Sequence, residues 1–204
     1  MCCIFAILVQ NEKKMKTLLI KFRKPILFIF SLFFLSNLTF GQLEEMARLP
    51  VDPNTGLITY QEVVEEEGNP EDLFNRCIYW LNDFYKNPVA VTKKRDFASK
   101  VIKGQHQFRV YYTDEEGYKK DAGMIMYDFT IEFKQDRYRY TVSDLLVRKT
   151  SRYPVENWLN KNDPDFNPRW ESYLFQVHSF FTEEWIPSLK EKMVPEEVIE
   201  EEEW

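Results

Sequence analysis

Histidine, cysteine and clustered carboxylates are the side chains that could do chemistry in this chain, and their spacing narrows what that chemistry is. There are two histidines, His106 and His178. A nucleophilic site needs a nucleophile, a base and an orienting group together, and a metal centre needs several donors at compatible spacing. Neither arrangement is visible. His106 falls on the apolar parity of a strand and His178 borders the apolar stripe of a helix, so both read as structural or surface residues. Cys77 lies among Phe74, Ile78 and Leu81 at helical spacing, which reads as a buried, inert thiol. The runs Glu65–Glu67 and Glu200–Glu203 lack the alternating Asp/Asn and glycine layout of a calcium loop and read as solvated charge. No phosphate-cradling glycine loop and no Gly-x-Ser-x-Gly occurs. Hence no catalytic residue, metal ligand or cofactor site is assigned, and the expectation is a protein that is not an enzyme.

The candidate binding residues are of another kind. Lys103, Gln105, Gln107, Arg109, Arg137, Arg139 and Thr141 all fall on the outward parity of strands. Gathered on one sheet face they form a basic and polar stripe that could serve as a binding platform. The plainer reading is an ordinary solvated face, where such groups pair at little energetic consequence.

The elements that position this stripe follow from periodicity. In Met124–Val147 the residues Ile125, Tyr127, Phe129, Ile131 and Phe133 alternate with Asp128, Thr130 and Glu132. That pattern belongs to a strand with one buried side. A tight turn at Gln135-Asp136 sets Phe133 opposite Tyr138 and Ile131 opposite Tyr140, and a one-residue slip would invert every side chain. After Asp144 the apolar parity moves to Leu145 and Val147, which predicts a bulge or the end of the strand. Leu57–Glu65 reads as a first strand. Residues 70–86 read as an amphipathic helix, capped by Asn69, opened by Pro70 and stopped at Asn87-Pro88. Asn87–Arg95 reads as a loop. Phe97–Thr113 reads as one long strand, or two broken at Gly104, where a bulge or a close approach by the helix backbone is expected. A short helix over Val155–Asn160 and a loop over Lys161–Asn167 precede a longer helix. Trp170, Tyr173, Leu174, Val177, Phe180, Phe181 and Trp185 form its apolar stripe, and Pro187 should kink it or end its regular part.

The N-terminus is a separate object. Six basic residues from Lys13 to Lys24 precede the short apolar run that opens at Pro25, followed by small and polar residues to Gly41-Gln42. This is the form of a secretory signal, residues 1–41, cleaved after Gly41. The alternative, a retained anchor, is weakened by a run shorter than the roughly 20 residues that span a bilayer. Met15-Lys-Thr-Leu-Leu also has the form of a signal start, which offers a second possible initiation point. Taking those six cations and Glu12 from totals of 27 and 33 leaves 21 basic and 32 acidic residues, a net charge of −11. Such a surface repels nucleic acid and anionic membranes. Cys2 and Cys3 leave with the signal, so the mature chain has no disulfide and no lipid-bearing cysteine at the cut. The expected product is soluble, periplasmic or extracellular, with no membrane span and with a monomer as the simplest state. It would consist of a lead-in over residues 42–48, one α+β domain over 49–150, a helical extension over 151–194 packed on that domain, and a disordered acidic tail over 195–204.

Leu49-Pro-Val-Asp-Pro-x-Thr-Gly56-x-Ile58-x-Tyr60, Ile102-x-Gly104, Tyr127-x-Phe-Thr-Ile131 and Asp136-Arg-Tyr-Arg-Tyr140 together carry a family resemblance. They resemble a family of exported bacterial proteins, known mainly from Bacteroidota: a domain of unknown function with a TATA-binding-protein-like fold. The resemblance covers about residues 49–147. The family often carries a second small residue near position 106, where this chain has His106. The resemblance implies an antiparallel, four- to five-stranded curved sheet in the order β-α-β-β-β-α, with helices on one face, and it implies export. It implies no activity. The functional expectation is therefore a non-enzymatic envelope module that binds a protein or glycan partner through its sheet face or its aromatic-rich last helix. The alternative is a carrier of a small apolar ligand held between helices and sheet; an enzyme of unrecognised type comes third.

Overall fold

Alternation builds the centre of the molecule, and aromatic side chains close it. The computed structural model describes residues 49–149 and 151–195, so the expected signal segment, the lead-in before Leu49 and the tail beyond Pro195 lie outside the described residues. Strand β4 (Lys119–Lys134) and strand β5 (Arg137–Arg148) form the expected hairpin, with Phe133 opposite Tyr138 and Ile131 opposite Tyr140. Asp136 makes the turn in the left-handed region at φ 53°, which Asp tolerates better than bulkier residues. Its backbone and carboxylate also clamp the loop before the first helix. The N–H of Asp136 donates to Gly68 O, and its Oδ1 accepts from Gly68 N. Of the two alternatives after Asp144, the structure has the bulge and not the end of the strand: Met126 faces Leu146 and Asp128 faces Ser143, so Tyr127 is opposed by both Asp144 and Leu145. Asp144 absorbs the extra residue at φ 53°.

The sheet is antiparallel and curved, with strands in the order β1-β5-β4-β3-β2. Strand β1 (Tyr60–Glu65) is shorter than the predicted 57–65, because Ile58 turns aside to bridge Val51. A sixth strand, β6 (Arg152–Pro154), continues along β5 past the end of β1. Two segments differ from the sequence reading. Residues 87–95 are not a loop: Asn87 caps a one-turn helix, α2 (Pro88–Val91), which runs straight into β2 (Thr92–Asp96). The strand break also lies elsewhere, at the turn 97–100 with Lys100 at φ 52°, so β3 is Val101–Thr113 with Gly104 inside it.

Gly104 has its reason in a side chain rather than in the helix backbone. A Cβ there would overlap Cζ and Cε1 of Phe129, its partner on β4. The missing methyl lets the Phe129 ring lie flat across β3. Helix α1 (Pro70–Phe84), with Asn69 Oδ1 accepting from Glu71 N and Asp72 N, then packs Leu73, Phe74, Cys77, Trp80 and Leu81 onto that layer. A 3-10 turn (Val155–Leu159) leads to helix α3 (Trp170–Ser179), a π segment (Phe180–Trp185) and helix α4 (Ile186–Met193). Pro187 does not end this helix. It has no N–H to donate, and the irregular π turn is taken up immediately before it. Among the described residues no helix is long and apolar enough to cross a membrane.

Gly104→Ala should therefore destabilise the fold by about 1–3 kcal/mol, the usual size of an overpacked core. The loss should shrink in a Phe129→Leu background, a non-additivity that a chemical-denaturation double-mutant cycle measures directly.

Candidate functional site

Where β2 stops, β3 continues alone. β2 pairs with β3 only opposite Val101 to Gly104, and among the described residues no strand lies on that side from Gln105 onward. The edge closes again at Tyr111. Its N–H donates to Gln176 Oε1 at 2.9 Å and its carbonyl accepts from Gln176 Nε2 at 2.8 Å, so a carboxamide on α3 stands where a neighbouring peptide group would be. Residues along an antiparallel strand send their N–H and C=O to alternate sides. The main-chain groups of Gln107 and Arg109 therefore point the same way as those of Tyr111, away from β4. The gap from Gln105 to Val110 is roughly 20 Å long.

A cleft of about 530 Å3 runs along this gap. Phe84 and Tyr85 at the end of α1 form one wall, Phe180 of the π segment the other, and Ala90 and Val91 of α2 a shelf. His106 and Phe108 lie on its floor. Phe108 and Phe180 stack with centroids 4.0 Å apart. Tyr85 Oη accepts from Trp185 Nε1 at 2.8 Å and meets Tyr127 Oη at 3.1 Å, so the wall is anchored in the core. Burial raises the pKa of both phenols, and they stay protonated. His106 meets Tyr85 nearly edge-on at 4.8 Å, and its Nδ1 is buried without a hydrogen-bond partner. Burial holds its imidazole below the usual histidine pKa, so the ring is neutral at pH 7.

The sequence-derived stripe lands on one sheet face, as the register demands, but acidic residues of β4 come between its cations. Arg109 pairs with Asp121, and Arg139 pairs with Glu132, its Nε donating to Oε2 at 2.8 Å. Gln105 Nε2 donates to Asp128 Oδ1 at 2.6 Å, and Gln107 Oε1 accepts from Arg148 Nη1 at 3.4 Å. Thr141 Oγ1 donates to Gln61 Oε1 at 3.1 Å. Lys103 is exposed between Lys94 and Thr130, and Arg137 stands at the hairpin end between Lys134 and Glu65. Gln105 and Gln107 belong to both the stripe and the cleft, and Arg109 follows them along the edge of β3.

The other candidates are placed as follows. Cys77 is fully buried, and burial raises its thiol pKa. His178 Nδ1 bonds Tyr60 Oη at 3.1 Å. The aromatic stripe of the last helix faces inward, with Trp170, Phe181 and Trp185 all buried. The space between helices and sheet, where the alternative carrier reading puts an apolar ligand, holds rings: Trp185 meets Trp80 edge-on at 5.2 Å, and Tyr85 stacks on Phe129 at 6.1 Å.

Residues 60–147 match the model of a domain of unknown function, DUF4468, with a TBP-like fold. This stretch is a DUF4468 domain. Two crystal structures share the architecture. A TBP-like protein from Parabacteroides distasonis is 17% identical with a TM-score of 0.55, over 70% of this chain and 96% of its own. A DUF4468 family protein from Bacteroides ovatus is 13% identical with a TM-score of 0.56, over 72% of this chain and 92% of its own. No curated protein matches the chain. In the DUF4468 domain the cleft residue that sequence reasoning passed over is His106, dismissed for lack of partners. Its signal was the polar residue standing on an apolar parity.

A neutral His106 binds a proton less readily in the folded chain than in the unfolded one. Its contribution to stability is complete above the unfolded value of about 6.5 and is lost as the pH falls through it. His106→Leu should therefore lose less denaturation midpoint than the wild type between about pH 7.5 and about pH 5.5, read by urea titration at each pH.

Proposed function

We propose that this protein is a non-enzymatic binding module of a bacterial envelope, exported by its N-terminal segment, and that it takes its ligand in the cleft beside β3. The observation that carries the reading is the cleft of about 530 Å3 with aromatic walls and an unpaired strand edge. Concave, largely apolar sites with a few polar groups are where ligands bind. The chemistry of the neighbouring groups favours binding over catalysis. The Cys77 thiol is buried, His178 bonds a phenol, and the cleft's titratable ring, His106, has no carboxylate or hydroxyl nucleophile hydrogen-bonded to it. A protein or glycan partner fits this reading.

The second reading, a carrier of a small apolar ligand, has the lining of Phe84, Phe108, Phe180 and Met126 in its favour. It would use the cleft rather than the ring-filled space behind it.

Native mass spectrometry of the protein, purified gently from the envelope or culture fluid of its host, tests both. The wild type should retain extra mass or a polypeptide partner that is lost on denaturation. Ala90→Trp, which fills the cleft from an exposed position, should lose it while keeping the same circular dichroism. Extra mass of a few hundred daltons identifies a carrier, and a polypeptide mass identifies a binding module. Equal retention by wild type and variant, or a bare wild type, would remove the cleft reading.

A further inference from the structure

We infer that the occupant of this cleft is an extended, carboxylate-rich polypeptide segment of a partner protein, added as an edge strand to β3. The inference rests on the cleft reading and names its ligand class. An aromatic cleft alone would accept many molecules; what singles out a polypeptide is the main chain of β3. The outward N–H and C=O groups of Gln107 and Arg109 repeat at the spacing of a strand, and β2 and Gln176 close the row at its two ends. The two hydrogen bonds between Gln176 and Tyr111 are those a neighbouring peptide group would make, so a partner strand would extend a pattern the chain has already begun. Strand addition of this kind draws affinity from main-chain bonds and selectivity from pockets for alternate side chains. Here one face of the added strand would meet Phe84, Phe108 and Phe180, and the other would face solvent beside Gln105 and Gln107.

Charge sets the partner's sign. Lys86 lines the cleft, and Lys93, Arg109 and Arg148 stand along the same edge or beside Gln107. Asp128 pairs with Lys93 and Asp121 with Arg109, so Lys86 and Arg148 are the cations here that meet no carboxylate among the described residues. Rim charges of this sort act mainly on selection and encounter rate, and salt weakens them.

Fluorescence anisotropy with labelled alternating glutamate–valine and lysine–valine octapeptides tests this on the full chain. The acidic peptide should bind about tenfold tighter than the basic one, by more at low salt than at high salt. Gln107→Pro removes an N–H that points away from the β3–β4 ladder, and proline is tolerated on sheet edges. It should weaken the acidic peptide by about tenfold or more while the circular dichroism and thermal stability stay those of the wild type. Lys86→Glu, on an exposed side chain, should reduce or abolish the preference for the acidic peptide without unfolding the protein. Binding of neither peptide, or equal binding by Gln107→Pro with unchanged thermal stability, would overturn the inference. If the ligand retained from the host is nevertheless lost in Ala90→Trp, the cleft reading survives and only the strand falls. If Ala90→Trp keeps that ligand, both fall.

Discussion

Three layers of this protein meet at one buried hydroxyl. Tyr85 Oη receives the indole N–H of Trp185 from the last helix and hydrogen-bonds Tyr127 Oη in the middle of β4, while Tyr85 itself closes α1. Each bond contributes only about 1 kcal/mol net, but a buried polar atom stripped of its partner costs about 1–3 kcal/mol. The node therefore specifies arrangement more than it adds stability. It fixes how far α1 runs along the sheet and which turn of the C-terminal helix lies over it. The rings around it then have little freedom, and Trp80, Phe129 and Trp185 pack edge to face in the geometry their quadrupoles favour. Gly104 belongs to the same arrangement, because Phe129 reaches its place only by lying over a residue without a Cβ.

The cleft is a consequence of that node. Because α1 must end with Tyr85 above Tyr127, the chain begins its return to the sheet from there. Asn87 and Pro88 then turn residues 88–91 into a helix. β2 can begin pairing only at Thr92, which the register sets opposite Gly104. By that point β3 has its whole second half still to run, and among the described residues only Gln176 meets its main chain on that side. The open edge is thus fixed by the position of one tyrosine, together with the one-turn helix that follows it. The orphaned Nδ1 of His106 fits the same picture. The ring sits where packing wants bulk against Tyr85, in a place that gives its nitrogen no partner.

What the sequence made legible divides along physical lines. The β4–β5 hairpin, its turn and the bulge after Asp144 were readable because one face is buried, so every residue votes on register. β2 was not, because Thr92-Lys-Lys-Arg-Asp carries no apolar alternation. It is an edge strand whose cations discourage further pairing, and such a strand looks like a loop. The break at 97–100 was hidden because the apolar parity of Ala98 and Ile102 runs by coincidence across the turn. The outward stripe was readable as a face but not as a potential. Counting cations on β3 and β5 leaves out Asp128 and Glu132, which the β4 alternation already placed on that same face. The cleft could not be read at all, because it is made by the absence of a strand, and no residue pattern encodes where a neighbour stops.

The edge segments of the sheet differ: β1 and β2 are alike, and the part of β3 that runs beyond β2 is not. β1 is six residues long and exposes Gln61, Glu62 and Glu65, so a strand approaching it meets carboxylates. β2 exposes Lys93, Lys94 and Arg95 and is shorter still. Both are ordinary devices against edge-to-edge association. β3 between Gln105 and Val110 carries no proline and no bulge, and an apolar floor runs beside it. What flanks it is α2 and the π segment, whose Ala90, Val91 and Phe180 line the cleft beside the edge. β1 and β2 thus carry charge along their exposed length, whereas this part of β3 is bordered by rings and by the short helix that follows Tyr85.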